Sequence, residues 1–314
     1  MLRRNRPAVD EAIAPRHGVS RDGQPMSWNR APSDDLAPWI ARIYVAKVDA
    51  PKDYVLGCGL FNDTAMLRVQ LAGDWTAQTA DGPRVQARAA LVFGPHTRRM
   101  PISVRGSFVS IGVSLRPGTC HALKGPKLAD LVDRIEPFDR LGIPAAELLA
   151  RIDHSAEPED WACLLEDFVR ARVEAAGWAE PDPVTSRFET ISFTDPGITV
   201  AAIARDCGVE KRTLERVVSR DFGMPPKQVL RRARALDMAS HLRGVADQDE
   251  AEELALRYYD QSHLIREFTE LFGMSPGQFV ATPQPILTLA LESRQARRLE
   301  ALERLGPGDM RPWE

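Results

Sequence analysis

Leu214-Glu-Arg216 and Phe222-Gly-Met-Pro-Pro226-Lys-Gln228 are answered fifty positions later by Leu264-Ile-Arg266 and Phe272-Gly-Met-Ser-Pro276-Gly-Gln278. Six identities and a proline fall at one constant offset. Two copies are too few for a solenoid, so the pattern predicts two related helical subdomains in tandem. In the first, Thr199 is placed to cap a helix carrying Val200, Ile203 and Ala204. Gly208 supplies the tight turn, where a residue without Cβ fits most easily. A second helix follows from about Glu210 to Phe222, with Leu214, Val217 and Val218 facing inward and Lys211, Arg212, Arg216 and Arg220 facing outward. Gly223 stops it, and Pro226 starts a helix over 227–243 that ends at Gly244. At 1.5 Å per residue that helix spans about 26 Å, enough to hold two reading helices about one DNA turn apart.

The two copies differ in charge. From Ile198 to Gly244 there are ten Lys/Arg against five Asp/Glu; from Val245 to Pro283 there are two Arg against eight acids. Affinity for duplex DNA is largely the release of counterions from phosphates by cations. The first unit is therefore expected to supply most of the affinity. Lys211, Arg212 and Arg216 are expected in the major groove, where Arg pairs bidentately with guanine, and Thr213 and Arg220 on backbone phosphate. Gln261, Ser262 and Arg266 of the second unit are expected to add limited base reading, since Gln bonds adenine N6/N7. Arg231, Arg232 and Arg234 are assigned to the solvated side of the connecting helix, and His263 to capping or packing.

The block from Ile198 to Val280 resembles the AraC/XylS family of transcription regulators. Its Ala204–Gly208–Leu214–Arg216 run looks like that family's first helix-turn-helix. Tyr259-Asp-Gln-Ser-His263-Leu-Ile-Arg266-Glu-Phe268 with Phe272-Gly-Met-Ser-Pro276 looks like its second. The resemblance implies sequence-specific DNA binding by two helices joined by a rigid linker helix. It also implies a cupin-like sensing and dimerisation domain in the amino-terminal half. Two departures stand out: Arg257 where the family usually has a turn glycine, and the acidic Glu250-Ala-Glu-Glu253 where it packs a small residue. Both predict a remodelled second subdomain.

The amino-terminal half reads differently. From Trp39 to Leu115 the period is two: Leu67, Val69 and Leu71 alternate with Arg68 and Gln70, and Val109, Ile111, Val113 and Leu115 with Ser110, Gly112 and Ser114. Asn62-Asp63, Ala72-Gly73-Asp74 and Asp81-Gly82-Pro83 are turn chemistry. Short strands with frequent turns predict an antiparallel sandwich or barrel with one solvated face. Helical periods follow at Leu148, Leu149 and Ile152, then at Trp161, Leu164, Leu165, Phe168 and Val169. The latter is either a dimer seam or packing on the chain's own barrel. Glu180-Pro-Asp-Pro183 breaks the chain as a linker.

The 314 residues thus divide into a disordered arm (1–30, six Arg against three acids), a β-rich sensing and dimerisation domain with helices (31–180), a tandem helix-turn-helix domain (184–283) and a helical tail of unknown docking (284–314). The fold class is α+β, an antiparallel cupin-like β domain joined to an all-α domain. Four scattered cysteines without CxxC spacing read as reduced thiols. No apolar run suggests a membrane span, and none follows the basic Met1–Arg6 as a secretory signal would require, so the chain is placed in the cytoplasm. Between Trp39 and Leu115 His96 is the one histidine, too few for a metal-dependent barrel. With neither a GxSxG nor a Gly-rich phosphate loop, neither catalysis nor a cofactor is expected. His96 and Arg98 are the candidates for meeting an anionic effector. Partners expected are double-stranded DNA, a small-molecule effector, RNA polymerase and a second copy of the chain. The rivals are a small-molecule-binding enzyme and an interaction protein with a degenerate helical domain.

Overall fold

In the computed structural model the described residues are 6–246, 262–306 and 309–314. Glu250 to Glu253, Arg257, Tyr259 and Gln261 lie outside them.

The amino-terminal half is one antiparallel sheet. Its long strands are β3 (Ile40–Asp49), β5 (Met66–Thr79) and β8 (Met100–Leu115), joined by β1 (Ala14–Pro15), β2 (Trp28–Arg30), β4 (Val55–Leu60), β6 (Gly82–Gln86), β7 (Ala89–Phe93) and β9 (Ile135–Pro137). The order is β1-β3-β8-β5-β7-β9, with β2 on β3, β4 on β8 and β6 on β5. Register shifts at Gln70/Ala72 and Ala72/Asp74 break the β5–β8 ladder, and Gly73 sits there at φ +91°. Such bulges bend and twist a strand. On its edge away from β5, β8 serves two partners, β4 along Met100–Arg105 and β3 along Phe108–Leu115.

Both faces of this sheet are covered. Ile43, Val45, Leu67, Val69, Val92, Ile111 and Val113 form one buried cluster with Trp161, Leu165, Phe168, Val169 and Val173. Those last five belong to α3 (Pro158–Ala175), which follows α1 (Thr119–Ala122) and α2 (Ala145–Arg151). The apolar stripe of α3 is therefore packed on its own sheet. The opposite face, with Tyr44, Leu56, Leu60, Met66, Phe93 and Ile102, joins the core of the carboxy-terminal half.

Asp182 caps α4 (Pro183–Thr194), its side chain accepting from the Val184 amide at 3.0 Å. Next come α5 (Val200–Asp206), α6 (Lys211–Phe222), α7 (Pro226–Arg243), α8 (Ser262–Phe272), α9 (Pro276–Ala281) and α10 (Pro285–Ala301). The expected caps are present: Thr199 accepts from the Ala202 amide at 3.2 Å, Gly208 turns at φ +65°, and Gly223, Gly244 and Gly273 take left-handed φ. The duplicated Phe-Gly-Met thus encodes one device twice, a buried aromatic in the last helical turn and a left-handed stop after it. Phe222 packs edge-on against Phe188 at 5.2 Å, and Phe272 stacks with Phe268 at 4.2 Å and meets Phe279.

Two expectations for the termini are corrected. Residues 6–30 are not a free arm. Gln24 and Ser27 are wholly buried, β2 pairs with β3, and the Arg243 guanidinium holds the carbonyl of Ala8 and the side chain of Gln24. Nor is the tail an appendage. Helix α10 is buried almost throughout, lies against β3, β4 and α7, and inserts Ile286, Leu287, Leu289 and Leu291 into the shared core. Its polar residues are buried with partners: Glu292 accepts from Ser27 and Asn29, and Arg42 pairs with Glu300. Composition around residues 1–30 or 284–314 shows none of this, because each segment is satisfied by groups hundreds of positions away.

Candidate nucleic-acid interface

Helix α6 is built to present one face. Leu214, Val217, Val218 and Phe222 are buried, and all but Val217 join Val200, Ile203 and Ala204 of α5 and Val229 and Leu230 of α7 in one cluster. That periodicity leaves Lys211, Arg212 and Arg216 exposed and Thr213 half-buried. Lys211 has only an exposed i,i+4 contact with Glu215 at 3.7 Å, which is worth little in water. Among the described residues no carboxylate pairs with Arg212 or Arg216. Arg205 at the end of α5 and Lys227 at the start of α7 are exposed as well.

Arg220 does not join this face. Its guanidinium grips Asp221 at 2.6 Å and reaches Asp182 at 3.4 Å. Asp221, wholly buried, also accepts from the Thr185 hydroxyl. An acid this deep needs its cation, so Arg220 is turned inward to neutralise it.

The connecting helix corrects the sequence reading. Arg232 is 1% exposed and donates to the carbonyls of His96, at 3.1 Å, and Asp63. It fastens the β domain to α7. Arg231 and Arg234 are half-buried and paired: Arg234 meets Glu267 at 3.0 Å, and Arg231 meets Glu267 at 3.4 Å as well as Glu270. The acids of α8 thus neutralise the linker cations. Arg266 is exposed on α8, whose other exposed residues include His263, Ile265, Thr269 and Glu270. Ser262 opens that helix; Gln261 lies outside the described residues. His263 sits 3.5 Å from Glu267.

The effector candidates are not brought together. Arg98 is exposed, whereas His96 is wholly buried and accepts a hydrogen bond at Nδ1 from the Asn62 amide at 3.1 Å. Burial first, then the nearby Arg232 and Arg68 guanidinium groups, outweigh Asp133 and push its pKa down to about 4. A neutral His96 therefore belongs to the fold. The unfolded chain binds this proton at higher pH than the folded one, so the stability contribution is complete above pH 6.5 and lost as pH falls to about 4. The size is on the order of 3 kcal/mol. Urea midpoints followed from pH 7 to 4 should fall accordingly in the wild type and more shallowly in His96→Gln.

Among the described residues no helix is long and apolar enough to cross a membrane, and no group of three His, Cys, Asp or Glu is placed to hold a metal ion. The cysteines are unpaired, Cys58 and Cys120 buried and Cys163 exposed.

A left-handed turn between α5 and α6 and a rod-like α7, beside a curved β domain, make the helix-turn-helix arrangement of a DNA-binding protein. Residues 203–282 match a family model described as a helix-turn-helix domain. That match falls on the same stretch whose sequence resembles the AraC/XylS family of transcription regulators. Residues 29–137 match a second model, described as a domain of unknown function. A comparison with curated protein sequences returns no match. Among solved structures, apo ToxT from Vibrio cholerae is similar at a TM-score of 0.44 and 11% identity, over 76% of this chain and 98% of that one. ToxT from the same organism with an unsaturated fatty acid bound gives 0.42 and 9%, over 82% and 96%. The AraC-like transcriptional activator CuxR gives 0.27 and 17%, over 72% and 86%.

Proposed function

We propose that this regulator docks on duplex DNA chiefly through α6, with Lys211, Arg212 and Arg216 in the major groove, and that its β domain biases this docking in response to a small molecule. The observation that carries the reading is the pair of exposed guanidinium groups, Arg212 and Arg216, with no carboxylate partner among the described residues, on a helix whose other face is core. An exposed cation left unpaired is available to phosphate and to guanine; one already held by an acid is not. Helix α8 carries one arginine, Arg266, beside the acids Glu267 and Glu270. The β domain has a direct hold on the reading unit: the Gly118 amide faces the Asp221 carbonyl, and a Cβ on Gly223 would press on Leu128 and Val132.

Selection of duplexes from random oligonucleotides with the full chain should recover a preferred site, and salt titration on that site tests the asymmetry. With Arg205, Lys211, Arg212, Arg216 and Lys227 available, the slope of log K against log salt should be about −3 to −5. A slope near −8, which needs both units on phosphate, would contradict docking by one unit.

A further inference from the structure

Helix α6 carries an acid on the side that docking would turn towards DNA. Of its two carboxylates, Asp221 is buried and held by Arg220 and Thr185, whereas Glu215 keeps 45% of its side chain exposed. Glu215 touches Lys211, one turn earlier, at 3.7 Å. A carboxylate set among phosphates repels them and adds nothing to counterion release. On electrostatic grounds alone this position would carry any residue but an acid.

Helical phase sorts the outward residues into rows. At about 100° per residue, the buried Leu214, Val217, Val218 and Phe222 fix the inner side, and Arg212, Arg216 and Ser219 form the ridge opposite. Lys211 and Glu215 run beside that ridge on one flank. Arg212 and Arg216 stand about 6 Å apart along the axis. Neither has a carboxylate partner among the described residues, and both are exposed. Where a helix lies along the major groove, side chains three or four positions apart meet successive bases, principally of one strand.

A G·C pair presents two acceptors on guanine, N7 and O6, and a donor on cytosine, N4. A guanidinium fork suits the first and a carboxylate the second. The ridge of α6 offers two forks at the spacing of successive bases, and its flank offers one carboxylate beside them.

We propose that α6 reads two adjacent guanines on one strand through Arg212 and Arg216, and through Glu215 a cytosine paired with one of them. This rests on the docking reading above and gives that reading a sequence. Glu215 then sets preference at the expense of affinity, with Lys211 beside it offsetting its charge. Replacing the guanines by adenines would put thymine O4 in front of Glu215, acceptor against acceptor, and the adenine N6 donor in front of each guanidinium. Wrong sequences are rejected by both rows, which is how repulsive contacts sharpen specificity.

Selection from random duplexes with the full chain should return adjacent guanines. On that site 7-deazaguanine, which lacks the N7 acceptor, should weaken wild-type binding about 3- to 10-fold at each of the two positions. Arg212→Ala should be insensitive to the replacement at one position, and Arg216→Ala at the other. Glu215→Gln should bind random-sequence duplex more tightly than the wild type, because a negative charge leaves the interface. Its preference for the selected site over one with two A·T pairs in place of the guanines should fall about tenfold. A preferred site without adjacent guanines, 7-deazaguanine losses that persist in both arginine variants, or an unchanged preference in Glu215→Gln would each overturn the proposal while leaving α6 as the docking helix. Recovery of no preferred site would remove the docking reading, and this proposal with it.

Discussion

Replacing Arg212 and Arg216 together by alanine should weaken binding to the selected DNA site by at least about 30-fold, because each bidentate contact to a base is worth roughly 1–3 kcal/mol. The fold should be unaffected: both side chains are exposed and neither pairs with a carboxylate among the described residues. Circular dichroism and the urea midpoint should therefore match the wild type while the gel shift weakens. Arg266→Ala should cost about tenfold at most, since α8 adds one cation to a unit dominated by acids. Arg220→Ala should behave differently again. It strips the buried Asp221 of its cation and should show first as lost stability, with DNA affinity falling only through misplacement of α6. Equal losses from the double variant and from Arg266→Ala would remove the asymmetry on which the docking model stands.

The contrast between these residues shows where sequence reasoning reached and where it stopped. Helix boundaries in the first unit were legible because caps are local: Thr199, Gly208, Gly223 and Gly244 act on their immediate neighbours. Lys211, Arg212 and Arg216 were legible for the same reason, as the residues left over when Leu214, Val217 and Val218 go inward. Arg220 has the same helical phase, but its partner's burial depends on α4 and the linker. The alternation of β5 and β8 marks strands, but it does not reveal that the polar side is covered. Arg68, Gln70, Ser110 and Ser114 are all buried, because that side of the sheet faces the carboxy-terminal half, including a helix more than 170 residues further along the chain. Period two tells which residues share a face; it is silent on what covers that face. Arg232 was misplaced on similar grounds, since a run of arginines looks solvated until a second domain supplies carbonyls to hold one of them.

The cluster that joins the halves carries the largest stability effect. Asp63, in the turn between β4 and β5, accepts from Arg294 at 3.1 Å and from Arg297, while its own carbonyl accepts from Arg232. Arg294 also meets Asp237 of α7 at 2.7 Å. One carboxylate thus ties the β domain to α10, and α10 in turn ties it to the linker helix. Burial pushes the Asp63 carboxyl upward, but Arg297, Arg294 and Arg232 outweigh it and hold the group below the usual aspartate range. Asp63→Asn preserves shape and leaves three buried guanidinium groups around one fewer acid. The expected cost is about 3–5 kcal/mol, the range for breaking a buried pair by removing one partner. By comparison, Asp81→Asn, which removes the exposed partner of Arg134, should cost under about 1 kcal/mol. The sign with pH follows: the Asp63 contribution is present above the ordinary aspartate range and is lost as pH falls through its depressed folded value, so the gap between wild type and Asp63→Asn should close in acid. Urea unfolding at neutral pH, with hydrogen exchange at Asn62–Thr64 and along α7, measures both claims. Protection should fall first at that turn and at Arg232, because these are the joints the carboxylate holds. If Asp63→Asn unfolded within about 1 kcal/mol of the wild type at pH 7, the two halves would have to be held by the apolar contacts of α10 alone, and Arg232, Arg294 and Arg297 would be passengers in the interface.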